Sequence, residues 1–114
     1  MHELSVAQAI VDRIERILAQ EKGRDVSRVV LSVGSLSGID TAALAFAMPV
    51  VAADRGWEAV DWDIRPVRAA VRCATCGGES EPEDIFPVCR LCESTDVEII
   101  RGRELLIDSV DIKQ

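Results

Sequence analysis

Two short segments, Cys73-Ala74-Thr75-Cys76 and Cys89-Arg90-Leu91-Cys92, contain all four cysteines of this 114-residue chain, and twelve residues separate them. A tight turn over each C-x2-C pair directs two sulfur atoms at one ion, and two such turns complete a tetrahedral shell. Gly77 and Gly78 follow the first pair and allow the positive φ angles that such turns often require. Zinc is the favoured ion, and because four protein ligands leave no position for water, the pattern predicts a structural site.

Other roles of the four cysteines are compatible with the same spacing. Iron in a rubredoxin-like site would make the protein an electron carrier, and a zinc-ribbon adaptor would bind other proteins. A dithiol redox pair is a third alternative, which is weaker because both pairs lie in one segment. From Cys73 to Cys92 the charged residues are four acids and one arginine, which disfavours a zinc ribbon that binds nucleic acid.

The composition limits the possible partners and the location of the protein. Acidic residues outnumber basic ones by 20 to 13, and the net charge of -7 argues against nucleic acid and anionic membranes as partners. No apolar run approaches the roughly 20 residues that span a bilayer, and the first residues lack the features of a signal peptide. We therefore expect a cytoplasmic protein, in which clustered thiols bind metal more often than they form disulfides.

The first third of the chain predicts a helix followed by a strand. Apolar residues recur at intervals of three and four from Leu4 to Leu18, with Ser5 and Gln8 forming a capping-box pattern and Gly23 providing a stop. The β-branched stretch 28–33 alternates in polarity and predicts a strand that Gly34 closes.

A second helix is predicted to begin at Asp40 or Thr41, either of which can cap it, and to continue to about Asp54. Nearly all of its residues are apolar, so we expect it to be well buried. Pro49 removes a backbone donor and predicts a kink or a shorter helix.

Two later segments predict strands. Apolar and charged residues alternate from Val60 to Pro66, as in a strand with one buried face, and Trp57 and Trp62 are interpreted as packing residues. The stretch 104–112 is less regular: Leu105 and Ile107 share one face whereas Leu106, Val110 and Ile112 share the other, so a bulge is possible.

These elements define the expected fold class, α/β in the α+β sense. A small β-sheet covered by two helices is formed by residues 1–67 and 104–114. Residues 68–103, which carry the cysteines, form an inserted four-cysteine zinc-binding module that is too short for a hydrophobic core of its own.

The chain start offers a different set of metal donors. If Met1 is retained, its amine, the deprotonated backbone nitrogen of His2 and the His2 imidazole can occupy three positions of a square plane, and Glu3 can add its backbone nitrogen or carboxylate. Square-planar sites rich in nitrogen and oxygen suit nickel(II) or copper(II). The plain alternative is an N-terminal histidine with no metal role.

Catalytic chemistry has little support in the sequence. His2 is the only histidine and there is no tyrosine, so His-based triads and three-histidine metal sites are excluded. No activated nucleophile, open zinc position or phosphate-binding glycine loop is visible, and we expect the protein not to be an enzyme.

The combination resembles one family over the full chain. The chain is similar to the HypA/HybF family of nickel metallochaperones for hydrogenase maturation. The resemblance rests on three features: an amphipathic helix that begins with Met1-His2-Glu3-Leu4-Ser5, a valine-rich strand that leads into Gly34-Ser35-Leu36-Ser37-Gly38, and the late pair of C-x2-C motifs.

The resemblance implies a division into two metal sites. Met1, His2 and Glu3 would hold nickel(II) as transferable cargo, and Asp40 matches an acidic position proposed as a further nickel ligand. Structural zinc would bind the sulfurs of Cys73, Cys76, Cys89 and Cys92. The implied domains are a nickel-binding α/β domain of residues 1–67 and 104–114 and a zinc-binding domain of residues 68–103. The implied partners are a nickel-binding, HypB-like GTPase and the large subunit of nickel-iron hydrogenase.

Overall fold

The computed structural model describes residues 3–19, 25–82 and 86–113. In chain order the elements are α1 (Glu3–Leu18), β1 (Val26–Gly34), α2 (Thr41–Asp54), β2 (Asp61–Val67), β3 (Ala70–Cys73), β4 (Glu79–Ser80), β5 (Val97–Arg101) and β6 (Leu105–Ile112). They form two three-stranded sheets, ordered β2-β1-β6 and β4-β3-β5. The predicted α+β class is confirmed.

The sheet β2-β1-β6 carries the hydrophobic core. Strand β1 lies at its centre, parallel to β2 and antiparallel to β6. Alternate residues of β1 pack against the buried faces of α1 and α2, and Trp57 and Trp62 lie partly buried at the edge of this core, as predicted. No helix among the described residues is long and apolar enough to cross a bilayer.

Helix α1 forms as its periodicity predicts, but it begins earlier than expected. Its buried face consists of Val6, Ala7, Ile10, Val11, Ile14 and Leu18. Glu3 already lies in the first turn, so Ser5 is inside the helix and the predicted Ser5–Gln8 capping box is wrong. An acidic side chain in the first turn interacts favourably with the positive end of the helix dipole. The predicted stop at Gly23 lies outside the described residues.

The N-terminus of α2 is capped by Asp40, as predicted. One carboxylate oxygen of Asp40 accepts hydrogen bonds from the backbone N–H groups of Ala42 at 3.0 Å and Ala43 at 3.2 Å. Pro49 lies within the helix without shortening it. Pro49 has no backbone N–H to donate to the carbonyl of Ala45, four residues earlier. Ala45 is on the exposed side of the helix, where water can donate to this carbonyl instead.

The expectation that α2 is well buried is wrong for one of its sides. Leu44, Ala47, Met48, Val51 and Ala52 face the core, whereas Phe46 remains 80% exposed and Val50 55% exposed. Helix α2 packs on α1 and β2, and its other side, which carries Phe46 and Val50, is exposed among the described residues.

Strand β6 contains the bulge that its sequence suggested. Val30 pairs with Ser109 and Leu31 with Ile107, so Asp108 is the extra residue. The bulge changes which side chains share a face, because Ile107, Val110 and Ile112 all pack against the core. The predicted division, with Ile107 opposite Val110 and Ile112, is therefore wrong.

The loop after β1 is bound to the chain segment that returns from β5 to β6. The N–H of Gly34 donates to the carbonyl of Glu104, and the N–H of Leu36 donates to the carbonyl of Gly102, both at 2.7 Å. A Cβ atom on Gly34 would lie 2.0 Å from the carbonyl oxygen of Gly102. Glycine is required here because of this close approach of two backbones.

The same loop also contacts the segment that leads from β2 to β3. The N–H of Ser35 donates to the carbonyl of Val67 at 2.9 Å, and the hydroxyl of Ser35 accepts from the N–H of Ala69 at 3.0 Å. The loop Gly34–Gly38 therefore holds both connections between the two sheets.

Gly34→Ala is expected to destabilise the fold by about 3 kcal/mol, since backbone atoms cannot move aside as a flexible side chain can. The control is Gly38→Ala in the same loop, where φ is +80° but no atom lies within 4 Å of the added Cβ. The control should cost about 1 kcal/mol. Urea unfolding of both variants measures the difference, and equal costs would contradict the role assigned to the Gly34–Gly102 contact.

Candidate metal centre

The first cysteine pair is held in a turn at the end of β3. The N–H of Gly77 donates to the carbonyl of Cys73, and the N–H of Cys73 donates to the carbonyl of Gly78, both at 2.9 Å. Gly77 has φ +75°, as predicted. The expectation that Gly78 also has a positive φ is wrong. Glycine at position 78 instead leaves space for the side chain of Leu91, because a Cβ atom added to Gly78 would lie 2.4 Å from the Cδ1 atom of Leu91.

The second pair repeats this turn without a glycine. The N–H of Glu93 donates to the carbonyl of Cys89 at 2.8 Å, as Gly77 does to Cys73 in the first turn. Glu93 has φ +64°, in the left-handed region that side chains rarely adopt. The sequence gives no signal for this conformation, because the usual signal is a glycine or an asparagine.

The two turns bring the four sulfur atoms together. All four lie within 4.8 Å of one another, and they are the only group of three or more metal-ligating side chains found within residues 3–19, 25–82 and 86–113. The sulfurs of Cys73 and Cys92 are 3.5 Å apart, and those of Cys76 and Cys89 are 3.7 Å apart. Zinc–sulfur bonds of about 2.3 Å place tetrahedral sulfurs about 3.8 Å apart, so the cluster fits a zinc ion.

Burial and hydrogen bonding make the four thiols unequal. Cys73 and Cys89 are buried, whereas Cys76 and Cys92 are exposed. The backbone N–H of Cys76 donates to the sulfur of Cys73 and is the main cause that lowers the pKa of Cys73 to about 6. A hydrogen bond from the backbone of Ser94 lowers the pKa of Cys92, but the hydrogen bond with the Cys73 sulfur and burial together outweigh it. The pKa of Cys92 is therefore raised to about 12. In the metal-free cluster at neutral pH, the hydrogen-bonded pair of Cys73 and Cys92 therefore shares one proton, which favours Cys92.

Two residues of the proposed nickel set lie next to each other. A carboxylate oxygen of Glu3 accepts a hydrogen bond from the backbone N–H of Asp40 at 3.3 Å. The contact joins the first turn of α1 to the residue that caps α2, so Glu3 and Asp40 lie beside each other. Met1 and His2, the other members of the set, lie outside the described residues.

Two helices on a three-stranded sheet, together with a four-cysteine centre on a second sheet, define a small metal-binding protein of the α+β class. The sequence model of one family, described as "HypA: Hydrogenase/urease nickel incorporation, metallochaperone, hypA", matches residues 1–112. The chain belongs to this family. As a member of this family it is a metallochaperone of nickel incorporation and not an enzyme.

Curated relatives match the chain over almost its whole length. The chain is 34% identical over 112 residues to "Hydrogenase maturation factor HypA" of Nitrosospira multiformis, covering 98% of this chain and 97% of the relative. It is 36% identical over 106 residues to the protein of the same name in Syntrophus aciditrophicus, covering 93% of both. Family membership favours the metallochaperone over the electron carrier and the adaptor.

A solved structure supports the fold. The chain superimposes on the solution structure of "the Ni metallochaperone HypA from Helicobacter pylori" with a TM-score of 0.67, at 24% sequence identity, covering 98% of this chain and 97% of the other. At this identity the likeness bears on the fold alone.

Metal affinity at the cysteine cluster should rise with pH. Binding requires four thiolates, and because Cys92 keeps its proton at neutral pH, each ion displaces at least one proton. Cys73, whose pKa is lowered to about 6, adds only a fraction of a proton near pH 6.5 and little above pH 7. The apparent zinc affinity should therefore increase at least about tenfold per pH unit from about pH 6.5 to about pH 8.5. Competition with a chromophoric chelator measures it, and an affinity independent of pH would contradict the assignment.

Proposed function

We propose that this protein binds nickel(II) through Met1, His2 and Glu3 and delivers it to the large subunit of nickel-iron hydrogenase. Hydrogenase is proposed because the curated relatives are named hydrogenase maturation factors. The observation that supports the site is the contact between Glu3 and the N–H of Asp40, since it brings two of the proposed ligand residues side by side.

The donors at the chain start suit nickel for a chemical reason. The terminal amine, the backbone nitrogen of His2 and its imidazole form one five-membered and one six-membered chelate ring, and Glu3 supplies a fourth donor. Nitrogen and oxygen donors in a plane are the set that nickel(II) prefers, whereas zinc prefers a tetrahedron. Asp40 is proposed as a further ligand, through the carboxylate oxygen that does not cap α2.

The two sites differ in how easily they release metal. A site at a chain end encloses its ion with few donors, so an acceptor can replace them one at a time. The four sulfurs of Cys73, Cys76, Cys89 and Cys92 form a closed shell, and we propose that they hold a structural zinc ion that is not transferred. Residues 1–67 and 104–114 would then form the nickel-binding domain, and residues 68–103 the zinc-binding domain.

Two partners complete the proposal. A nickel-binding, HypB-like GTPase is proposed to work with the protein, and the hydrogenase large subunit is proposed to accept the metal. Both encounters would take place in the cytoplasm, where the thiols remain reduced.

His2→Ala should weaken nickel binding by at least about tenfold, because it removes one donor and one chelate ring. One residue added before Met1 should have a similar effect, since it moves the free amine away from the imidazole. Isothermal titration with nickel(II) measures both, and one residue added after Gln114 is the matched control. Zinc content should stay at one ion per chain in every variant. Nickel binding that is unchanged in both N-terminal variants would refute the proposed site.

Glu3→Gln and Asp40→Asn separate charge from structure. Asparagine caps helices as well as aspartate does, so Asp40→Asn should keep the melting temperature. Glutamine retains an oxygen that can accept the N–H of Asp40, so Glu3→Gln should lower the melting temperature only by the small amount due to its lost helix-dipole interaction. A carboxylate that binds nickel should lose at least about tenfold in nickel affinity when it becomes an amide. If either variant binds nickel as wild type does, that side chain is structural and not a ligand.

A further inference from the structure

Helix α2 carries an apolar face that no described element covers. The exposed residues along this face, hereafter the α2 stripe, are Ala42, Ala45, Phe46, Pro49, Val50 and Ala53. They lie three and four residues apart, so they follow one side of the helix. A helix that is apolar on both sides is typical of one that is covered on both sides. Here the core covers only the inner side.

Leu4 extends the α2 stripe towards the chain start. Glu15 of α1 forms an ion pair with Arg55 just beyond α2, so the side of α1 that bears Glu15 faces α2. Leu4 lies eleven residues earlier, about three turns, and is therefore on the same side of α1. It is 52% exposed.

The rim of the α2 stripe is acidic. Asp40 lies at one end of the helix and Asp54 at the other, and both are exposed. Arg55 is the nearest basic residue in sequence, and its guanidinium is already occupied by Asp12, at 2.6 Å, and by Glu15. On α1, Arg13 lies about 160° and Arg16 about 100° around the helix axis from Glu15, so neither arginine is on the side of α1 that faces α2.

The apolar part alone is too small for a stable interface. From residue 42 to residue 53 a helix rises about 17 Å, and one helix is about 10 Å wide, which gives about 170 Å². A standard interface buries about 800 Å² on each partner. A partner on the α2 stripe must therefore also contact the acidic rim. A second copy of this chain would place acids against acids, which is unfavourable.

We propose that the α2 stripe is the docking surface for a partner protein that presents an apolar helical face edged by lysine or arginine. The apolar contact supplies the centre of the interface, and charge complementarity at the rim orients the partner. The α2 stripe itself contains none of the proposed nickel donors; of its rim, only Asp40 is a proposed nickel ligand. The proposal stands whether or not nickel binds at the chain start.

Two synthetic helical peptides of about 18 residues test the proposal. Both have leucines along one face, and the flanks carry lysines in one peptide and glutamates in the other. Titration of the zinc-loaded protein, followed by fluorescence anisotropy, should show that the lysine peptide binds at least about tenfold more tightly than the glutamate peptide. Its affinity should fall as salt is added.

The double variant Phe46→Ser/Val50→Ser should weaken binding of the lysine peptide by at least about tenfold. Both side chains are exposed, so the melting temperature should not fall. Leu106→Ser is the matched control: Leu106 is 51% exposed but belongs to β6, and its loss should leave the affinity unchanged.

Three results would overturn the proposal. The first is equal binding of the two peptides, or of the lysine peptide to wild type and to the double variant. The second is a dimer in analytical ultracentrifugation that the double variant dissociates, which would make a second copy the occupant. The third is binding of wild type, but not of the double variant, to vesicles of neutral phosphatidylcholine.

Discussion

The segment between β2 and β6 depends on its four sulfur atoms, because it has too little apolar surface to fold around. Among its described residues, the buried apolar side chains besides two cysteines are Ala69, Ala70 and Val71, and none of them belongs to the core under α1 and α2. Burial of so few methyl groups does not offset the entropy of ordering about 35 residues. A metal ion bound by four thiolates contributes folding free energy directly, as in other small metal-stabilised modules.

The loop Gly34–Gly38 connects this segment to the rest of the protein through backbone contacts. Its first residues hold both chain connections between the sheets, and it leads directly into Asp40, whose N–H binds Glu3. The first turn of α1, the cap of α2 and the two chain connections of the cysteine segment are thus joined within a few residues.

Local sequence signals predicted both helices, the three strands of the sheet β2-β1-β6 and the cap of α2. They predicted neither the three strands of the second sheet, β4-β3-β5, nor what packs around each element. Asp40 could be recognised because capping depends on the residues immediately after it. The bulge at Asp108 could be suspected but not placed, because it is defined by pairing with a strand almost 80 residues away. The exposure of Phe46 depends on what packs around α2, and the left-handed Glu93 has no sequence signal. The contact of Glu3 with Asp40 is likewise a product of the tertiary fold.

The central claim is that sulfur holds one ion in place while donors at the chain start hold a different, transferable one. X-ray absorption at the nickel edge, on protein loaded with one zinc and one nickel ion, tests it most directly. The account predicts a nickel spectrum with nitrogen and oxygen neighbours only, together with a zinc spectrum of four sulfur neighbours. Sulfur neighbours around nickel would place the cargo in the cysteine cluster and contradict the account.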